Sequence, residues 1–233
     1  MIVAIALVAA LLAPLSHVQS DCVDTQVVGV RGSGQSGYGE QVEAVVDGLV
    51  PALLRTGRSV AVEALDYPAI SISDSFGLVL LTGDYDRSVA TGVTELESRL
   101  DAISTSCPLT DIVLIGYSQG AQVIKTALED SLPRHRLASV VLLADPTRSE
   151  VEAAIRRLGD ATAERAGAFG SVLLPSHVRA VVVDVCAAGD GICERGRRDL
   201  QAHVDGYVPL AAEVVAAAIA EVAEGTLRYL APR

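Results

Sequence analysis

The chain has 233 residues, half of them hydrophobic, and a formal net charge of -11 at pH 7. This length suits one domain with a substantial core, and the negative charge argues against a nucleic-acid partner, because a polyanion would be repelled. Aromatic residues make up only 3% and Trp is absent, so the core must consist of Ala, Val, Leu and Ile, which favours layers of helices and sheet over a disordered or fibrous chain.

The N-terminus predicts export. Residues Met1 to Leu15 are nearly all apolar, too short a run for a comfortable membrane span but typical of the hydrophobic region of a signal peptide. The usual positive charge near Met1 is missing. We expect residues 1–20 to be a signal peptide that is removed, leaving residues 21–233 as a single, secreted catalytic domain.

The cysteines predict two disulfides. There are four of them, Cys22, Cys107, Cys186 and Cys193, and an even number in an exported chain is typical of a disulfide framework. Of the three pairings possible, closeness in sequence favours Cys186 with Cys193, which leaves Cys22 with Cys107. Neither a Cys-x-x-Cys pair nor a nearby His completes a tetrahedral metal set, so we expect no metal.

Short β-branched runs alternate with longer, Ala-rich stretches along the chain. The predicted strands are Thr25 to Val30, Ser59 to Ala64, Asp111 to Gly116, Ser139 to Ala144 and Val178 to Val185. The predicted helices are Gln41 to Leu54, Ser88 to Leu100, Ala121 to Leu128 and Leu210 to Leu227. This alternation predicts an α/β fold, a three-layer α/β/α sandwich around a central, mainly parallel five-stranded sheet, with ligands at the carboxyl ends of the strands. Residues Asp160 to Ser176 are predicted to be a surface loop.

A Gly-x-Ser-x-Gly motif follows the third predicted strand and opens a helix, which is the context that a nucleophile elbow requires. Ser118 lies at its centre between Gly116 and Gly120. The glycines are needed because side chains beside the serine would collide with the neighbouring strand and helix. The five-residue pattern alone is weak, since chance gives about a tenth of an occurrence in such a chain; the flanking strand and helix make it specific.

A general base is found by elimination among four histidines. His17 lies in the leader, His135 stands between two arginines in a predicted exposed loop, and His177 precedes the last strand at the wrong edge of the sheet. Only His203 follows the last strand, where a loop can bring its imidazole to Ser118. We therefore predict His203 as the base.

The acid of a triad in this kind of fold comes between the serine and the histidine in the chain. Asp190 meets that condition and lies inside the small loop that a Cys186–Cys193 disulfide would close. Asp145, after the strand that follows the nucleophile helix, is the main alternative, and Asp184 is another.

Several motifs together resemble the cutinase family of serine esterases. They are Cys22, Arg31-Gly32-Ser33, Tyr67-Pro68-Ala69, Gly116-Tyr117-Ser118-Gln119-Gly120, Asp190-Gly191-Ile192-Cys193 and Ala202-His203. The resemblance covers most of residues 21 to 230. It implies a small, lidless α/β-hydrolase that hydrolyses carboxylic esters of short to medium acyl chains, cutin-like polyesters or lipids through an acyl-enzyme. An acetylxylan-type carbohydrate esterase on the same fold is an alternative.

The resemblance also implies roles for single residues. Ser118 would be the nucleophile, Asp190 the acid and His203 the base, with an oxyanion hole from the backbone N–H groups of Gln119 and Ser33 and from the Ser33 hydroxyl. The favoured disulfide pairing is also that of the family. No cofactor is implied, and we expect a monomer that acts on a small-molecule or polymeric ester.

An apolar acyl-binding rim is a further expectation. The run from Phe76 to Leu81, together with Ile192 and Val204 near the predicted acid and base, would supply it. The alternative is that these side chains belong to the core.

Two other classes of function would leave different patterns in the sequence. Gly32, Gly34 and Gly37 form a literal Gly-x-Gly-x-x-Gly after a strand, with Glu63 near the end of the next strand, as a dinucleotide site requires. Export argues against this class, and it leaves Ser118 and His203 unexplained. A binding protein on a hydrolase scaffold would carry an incomplete triad, whereas all three members are present here.

Overall fold

The structure is a computed structural model that describes residues 22–72, 82–130, 135–152, 155–159, 165–197 and 199–230, with side chains up to residue 225 in the last range. The predicted signal peptide, residues 1–20, lies outside the described residues, and so does the run from Phe76 to Leu81. Of the predicted loop Asp160 to Ser176, the part from residue 165 onward is described.

A single parallel sheet forms the middle layer. Its strands are β1 Thr25–Val30, β2 Val60–Ala64, β3 Asp111–Tyr117, β4 Leu137–Leu143, β5 Arg156–Leu158 and β6 Val182–Val185. They are arranged in the order β2-β1-β3-β4-β6-β5, and every neighbouring pair is parallel. The sheet has six strands where five were predicted, because the three-residue edge strand β5 was not foreseen.

The strand order reverses between β1 and β3. The chain runs outward from β1 to β2 and then returns to build β3 on the other side of β1. In open parallel sheets, ligands bind outside the carboxyl ends of the strands at such a reversal. The residues that follow β1 and β3 are those of the Ser33 and Ser118 motifs, so the topology places both motifs at one crevice.

Helices cover both faces of the sheet. They are α1 Glu40–Arg55, α2 Asp84–Ser106, α3 Gln119–Glu129, α4 Ser176–Arg179, α5 Leu200–Asp205 and α6 Ala211–Leu230, with a short 3₁₀ helix at Val208–Leu210. Helices α1 and α6 share a hydrophobic core with one face, and α2 and α3 share a core with the other. The predicted three-layer α/β/α architecture is confirmed. The last predicted strand began too early, since α4 occupies its first residues and β6 starts at Val182.

The central strands alternate between the two cores. In β3, Val113 and Ile115 face the core of α1 and α6, whereas Ile112 and Leu114 face the core of α2 and α3. Each fully buried Val, Leu or Ile contributes roughly 1.5–3 kcal/mol. Burial on both faces explains why these strands are continuous hydrophobic runs in the sequence.

Both predicted disulfides are present. Cys22 and Cys107 join the segment before β1 to the end of α2, with Cα atoms 5.6 Å apart. Cys186 and Cys193 close a short loop after β6, with Cα atoms 5.8 Å apart. Among the helices that the structure describes, none has the length and apolar character needed to cross a membrane.

Candidate active site

The Gly-x-Ser-x-Gly motif forms a sharp turn between β3 and α3. Ser118 adopts φ 51° and ψ -115°, a conformation that L residues rarely take and that costs energy unless the surroundings hold it. A Cβ atom on Gly116 would lie 2.7 Å from the Gly120 carbonyl oxygen, and one on Gly120 would lie 2.0 Å from the Val30 carbonyl oxygen. Only glycine fits at both positions, which explains the motif physically.

The structure brings the three predicted triad residues into contact. His203 Nε2 lies 3.2 Å from Ser118 Oγ, and His203 Nδ1 lies 2.9 Å from Asp190 Oδ2. Asp190 is completely buried, and its second oxygen, Oδ1, accepts a hydrogen bond of 2.7 Å from the backbone N–H of Ile192. The serine, the imidazole and the carboxylate therefore form a continuous hydrogen-bonded chain.

Tyr117 and Asp199 hold His203 in place. The side chain of Asp199 caps α5 by accepting hydrogen bonds from the first backbone N–H groups of that helix. The Tyr117 hydroxyl donates to the His203 carbonyl oxygen at 2.7 Å, and the two rings stack with centroids 5.2 Å apart. The residue directly before the serine thus supports the histidine, a role that the sequence did not reveal.

Tyr207 contacts the carboxylate of Asp190 from the other side. Its side chain is buried, and its hydroxyl donates to Asp190 Oδ2 at 2.5 Å. Burial raises the pKa of Tyr207 well above its ordinary value, and the charge of Asp190 adds to the shift. The phenol therefore remains a hydrogen-bond donor at neutral pH. A buried tyrosine hydroxyl usually has a hydrogen-bond partner, but nothing in the sequence identifies that partner.

The loop after β1 lies against the elbow. A Cβ atom on Gly32 would lie 2.5 Å from the Tyr117 ring, so this loop passes directly beside Ser118. The next residue, Ser33, has a buried hydroxyl oxygen that finds no hydrogen-bond partner among the described residues. Gln119 begins α3, and the first backbone N–H groups of a helix have no partner within it. Both residues therefore offer donors at the same crevice.

The remaining glycines of the Gly-x-Gly-x-x-Gly pattern have a structural role in this loop. The backbone N–H of Gly34 donates to the Ala69 carbonyl oxygen at 2.7 Å, which joins two of the motifs noted in the sequence. Two further residues separate Gly37 from the start of α1. Gly34 and Gly37 adopt φ angles of 72° and 58°, a conformation that favours glycine, so the turn itself accounts for both without a bound dinucleotide.

The alternative acids have other partners. Asp145 Oδ2 lies 3.1 Å from Lys125 Nζ, and Asp184 Oδ2 lies 2.7 Å from Arg148 Nε. All four side chains are buried, so these carboxylates belong to ion pairs inside the protein rather than to the contact with His203.

The other described histidines lie away from Ser118. His177 is in α4, before β6 and therefore at the opposite edge of the sheet. His135 is buried, and the prediction of an exposed loop was wrong at this residue. Its Nδ1 atom lies 2.8 Å from Ser104 Oγ and its Nε2 atom lies 3.6 Å from Asp101. The neighbouring arginines concealed this burial in the sequence.

Two residues of the predicted acyl-binding rim are described. Val204, next to His203 in the chain, is 49% exposed, and Ile192 is half-buried. Within the described part of the chain, no group of three or more His, Cys, Asp or Glu side chains is placed to hold a metal ion.

Sequence comparisons now identify the family. The Cutinase family profile matches residues 21–222, and Carboxylesterase Culp1 of Mycobacterium tuberculosis is 32% identical over 187 residues, which are 78% of this chain and 74% of that protein. The chain belongs to the cutinase family. Phospholipase Culp4 of the same organism is 31% identical over 189 residues, 81% of this chain and 74% of that protein.

Solved structures agree on the cutinase fold. The catalytic core domain of acetyl xylan esterase from Trichoderma reesei matches with a TM-score of 0.70 at 23% identity, over 86% of this chain and 100% of that one. A cutinase-like protein from Cryptococcus sp. matches with a TM-score of 0.69 at 20% identity, over 85% and 95% of the two chains. At these identities the likeness concerns the fold alone, and the predicted fold class and family resemblance are both confirmed.

Proposed function

We propose that this cutinase-family protein is a secreted serine esterase that hydrolyses carboxylic esters through an acyl-enzyme on Ser118. The observation that carries the proposal is the contact chain from Ser118 Oγ to His203 at 3.2 Å and from His203 to Asp190 at 2.9 Å. Relatives named carboxylesterase and phospholipase support ester hydrolysis as the reaction class.

The contacts support a separate role for each triad residue in the proposed reaction. His203 Nε2 accepts the Ser118 proton as Oγ attacks the ester carbonyl, and His203 then donates that proton to the leaving alcohol. Asp190 accepts from Nδ1–H, which keeps Nε2 available as the base and stabilises the imidazolium that forms. A water molecule, activated by the same histidine, attacks the acyl-enzyme and releases the acid.

The negative oxygen of each tetrahedral intermediate would be stabilised at the crevice between β1 and α3. The donors are the backbone N–H groups of Ser33 and Gln119 and the Ser33 hydroxyl. A buried hydroxyl without a partner costs free energy in the unliganded protein, and that cost is recovered when the hydroxyl donates a hydrogen bond to the oxyanion. Loss of one such donor typically raises a barrier by about 3–4 kcal/mol.

The substrate class proposed is esters with short to medium acyl chains, including polymeric esters and lipids. Leu200 and Val204 are 70% and 49% exposed on α5, one turn apart and on either side of His203. Exposed apolar side chains next to the base suit an acyl chain better than a sugar backbone. Acetylated xylan is the second candidate, because relatives of this fold include acetylxylan esterases.

Rates on a series of nitrophenyl esters from acetate to laurate, with acetylated xylan alongside, test the proposal. We expect the highest kcat/KM at short to medium chains and loss of turnover in Ser118→Ala. Release of acetate from xylan without hydrolysis of longer esters would favour the carbohydrate esterase. Folded wild-type protein that hydrolyses none of these substrates would favour the binding-protein hypothesis.

Export is part of the proposal. Two disulfides are typical of oxidising compartments, and the apolar leader supports secretion. N-terminal sequencing of the protein recovered from culture medium should begin at Asp21. Recovery of the intact leader within cells would contradict this. Gel filtration of the mature protein tests the expected monomer.

A further inference from the structure

Tyr207 makes a contact that the proposed reaction does not yet use. Its hydroxyl lies 2.5 Å from Asp190 Oδ2, 3.2 Å from the backbone N of Ala187 and 3.2 Å from Cys193 Sγ. The Ala187 N–H donates to the phenol oxygen, so the phenol proton must go to the carboxylate or to the disulfide sulfur. A charged carboxylate is by far the stronger acceptor, so the proton lies on the bond to Asp190.

Among the described residues, three groups contact the Asp190 carboxylate. Oδ1 accepts from the Ile192 N–H at 2.7 Å, and Oδ2 is shared between the Tyr207 hydroxyl and His203 Nδ1, at 2.5 and 2.9 Å. The carboxylate is completely buried. A hydrogen bond from the phenol stabilises the negative charge of the carboxylate. The carboxylate therefore attracts the imidazolium of His203 less strongly.

The phenol is held in this position by its ring. Tyr207 packs among the residues of the core beside α1 and α6, and its ring meets the Tyr117 ring edge-on with centroids 5.6 Å apart. Tyr117 in turn stacks on His203. The Tyr117 ring therefore lies between the other two, and this packing holds the Tyr207 phenol beside Asp190.

Two further carboxylates act on the Tyr117 phenol, whose ring stacks on His203. They are Asp205 on α5 and Glu40 on α1, and their charges act together with that of Asp190. Asp205 also accepts a hydrogen bond from Gln201 on its own helix. Neither carboxylate makes the direct contact with His203 that Asp190 makes.

We propose that Tyr207 is a positioning residue that fixes Asp190 Oδ2 and takes part of its charge, thereby limiting how strongly the carboxylate stabilises protonated His203. The inference rests on the proposed function, because it assigns His203 the role of base. It adds a fourth member, acting through Asp190, to the set formed by Ser118, Asp190 and His203.

The test is Tyr207→Phe in the full chain, followed by the pH dependence of kcat/KM and by NMR titration of the His203 imidazole. Without the phenol proton, Asp190 directs more charge to His203, so protonated His203 is stabilised. The acid limb of the profile and the NMR midpoint should both move to higher pH by at least about 0.5 unit, and kcat at neutral pH should fall several-fold. No movement, or movement to lower pH, would overturn the proposal.

Tyr85→Phe is the matched control. Tyr85 is also buried, and its hydroxyl donates to Gln122 Oε1 at 2.8 Å, so the substitution removes the same atom from a similar environment. It makes no contact with Asp190 or His203. The acid limb and the NMR midpoint should not move in this variant; an equal movement would show that loss of any buried phenol is sufficient, and would overturn the proposal.

A second variant keeps the phenol hydroxyl and changes only its acidity. Incorporation of 3-fluorotyrosine at position 207 makes the phenol more acidic and a stronger donor, so the His203 midpoint should move to lower pH, opposite to Tyr207→Phe. The NMR midpoint requires no turnover. If both variants move it as expected while no ester is hydrolysed, the proposed function fails and the role of Tyr207 stands; normal hydrolysis with an unmoved midpoint overturns the role of Tyr207 alone.

Discussion

Lys125 and Asp145 form a buried ion pair, with Nζ 3.1 Å from Oδ2 and both side chains almost completely excluded from solvent. Lys125 lies on α3, the helix that begins directly after Ser118. Asp145 follows β4, the neighbour of β3 in the sheet. Lys125 Nζ also lies 3.0 Å from Glu152 and donates to the Thr147 carbonyl oxygen. Asp145, the main alternative acid, is therefore paired with Lys125. The aspartate that contacts His203 is Asp190.

The first prediction compares the two aspartates. Asp190→Asn should lower kcat by about 10⁴-fold, as the loss of the triad carboxylate does in serine proteases, while the protein stays folded. Asp145→Asn should lower the free energy of unfolding and leave kcat of the folded protein close to wild type. Ester kinetics and urea unfolding of both variants check this; a large loss of kcat confined to Asp145→Asn would reverse the assignment.

The second prediction concerns Lys125, the single lysine of the chain. Burial acts to lower its pKa, but the charges of Asp145 and Glu152 outweigh burial and raise it. Lys125→Met should cost about 3–5 kcal/mol of stability, because two buried carboxylates lose their cation.

The free energy of unfolding at alkaline pH is a second measurement for Lys125→Met. A group whose pKa is raised by folding contributes stability that is fully present below its unfolded value, about 10.4 for lysine, and lost as pH rises through the folded value. Wild-type stability should therefore fall above about pH 10.4, with no such component in Lys125→Met. Arg87→Met, which breaks an exposed ion pair with Asp84, is the control and should cost less than about 1 kcal/mol. Equal losses in the two variants would contradict the role of Lys125.

The third prediction separates catalysis from stability at Ser33. Its hydroxyl oxygen is buried and has no hydrogen-bond partner in the part of the chain that the structure describes, so we expect Ser33→Ala to leave the melting temperature of the unliganded protein unchanged. It should lower kcat by about 10²–10³-fold with little change in KM, since one oxyanion donor is lost. Ser36→Ala, an exposed serine in the same loop, should behave as wild type. Unchanged kcat in Ser33→Ala would remove its hydroxyl from the proposed hole.

The fourth prediction assigns different roles to the two disulfides. Replacing Cys186 and Cys193 by Ser should cost about 2.5 kcal/mol in the chain-entropy account, against about 4–5 kcal/mol for the longer loop between Cys22 and Cys107. Activity should follow the opposite order, because the short loop carries Asp190. Chemical unfolding and ester kinetics of both double variants test this prediction. A greater loss of kcat in the variant that lacks Cys22 and Cys107 would contradict it.

Local patterns explain why much of the site was predictable. The elbow around Ser118 depends on residues within a few positions of one another, and the edge of a parallel sheet at which His203 must lie follows from the strand order. Asp190 was favoured by its loop, but only its 2.9 Å contact with His203 separates it from Asp145.

Contacts between distant segments explain what was not predicted. Tyr207 meets Asp190 across 17 positions, and Tyr117 meets His203 across 86. His135, which precedes β4, is buried and contacts Ser104 of α2, which its arginine neighbours did not indicate. The edge strand β5 has only three residues, two of them arginines, and carries no β-strand pattern.

The central claim is that Ser118 is the nucleophile, and covalent labelling tests it most directly. Wild-type protein treated with an ester-like alkyl phosphonate should lose its esterase activity with the phosphonate found by peptide mass spectrometry on Ser118 alone. His203→Gln should be labelled far more slowly, and Ser118→Ala should neither be labelled nor hydrolyse esters. A phosphonate on another residue of active protein, or wild-type hydrolysis by Ser118→Ala, would contradict the account.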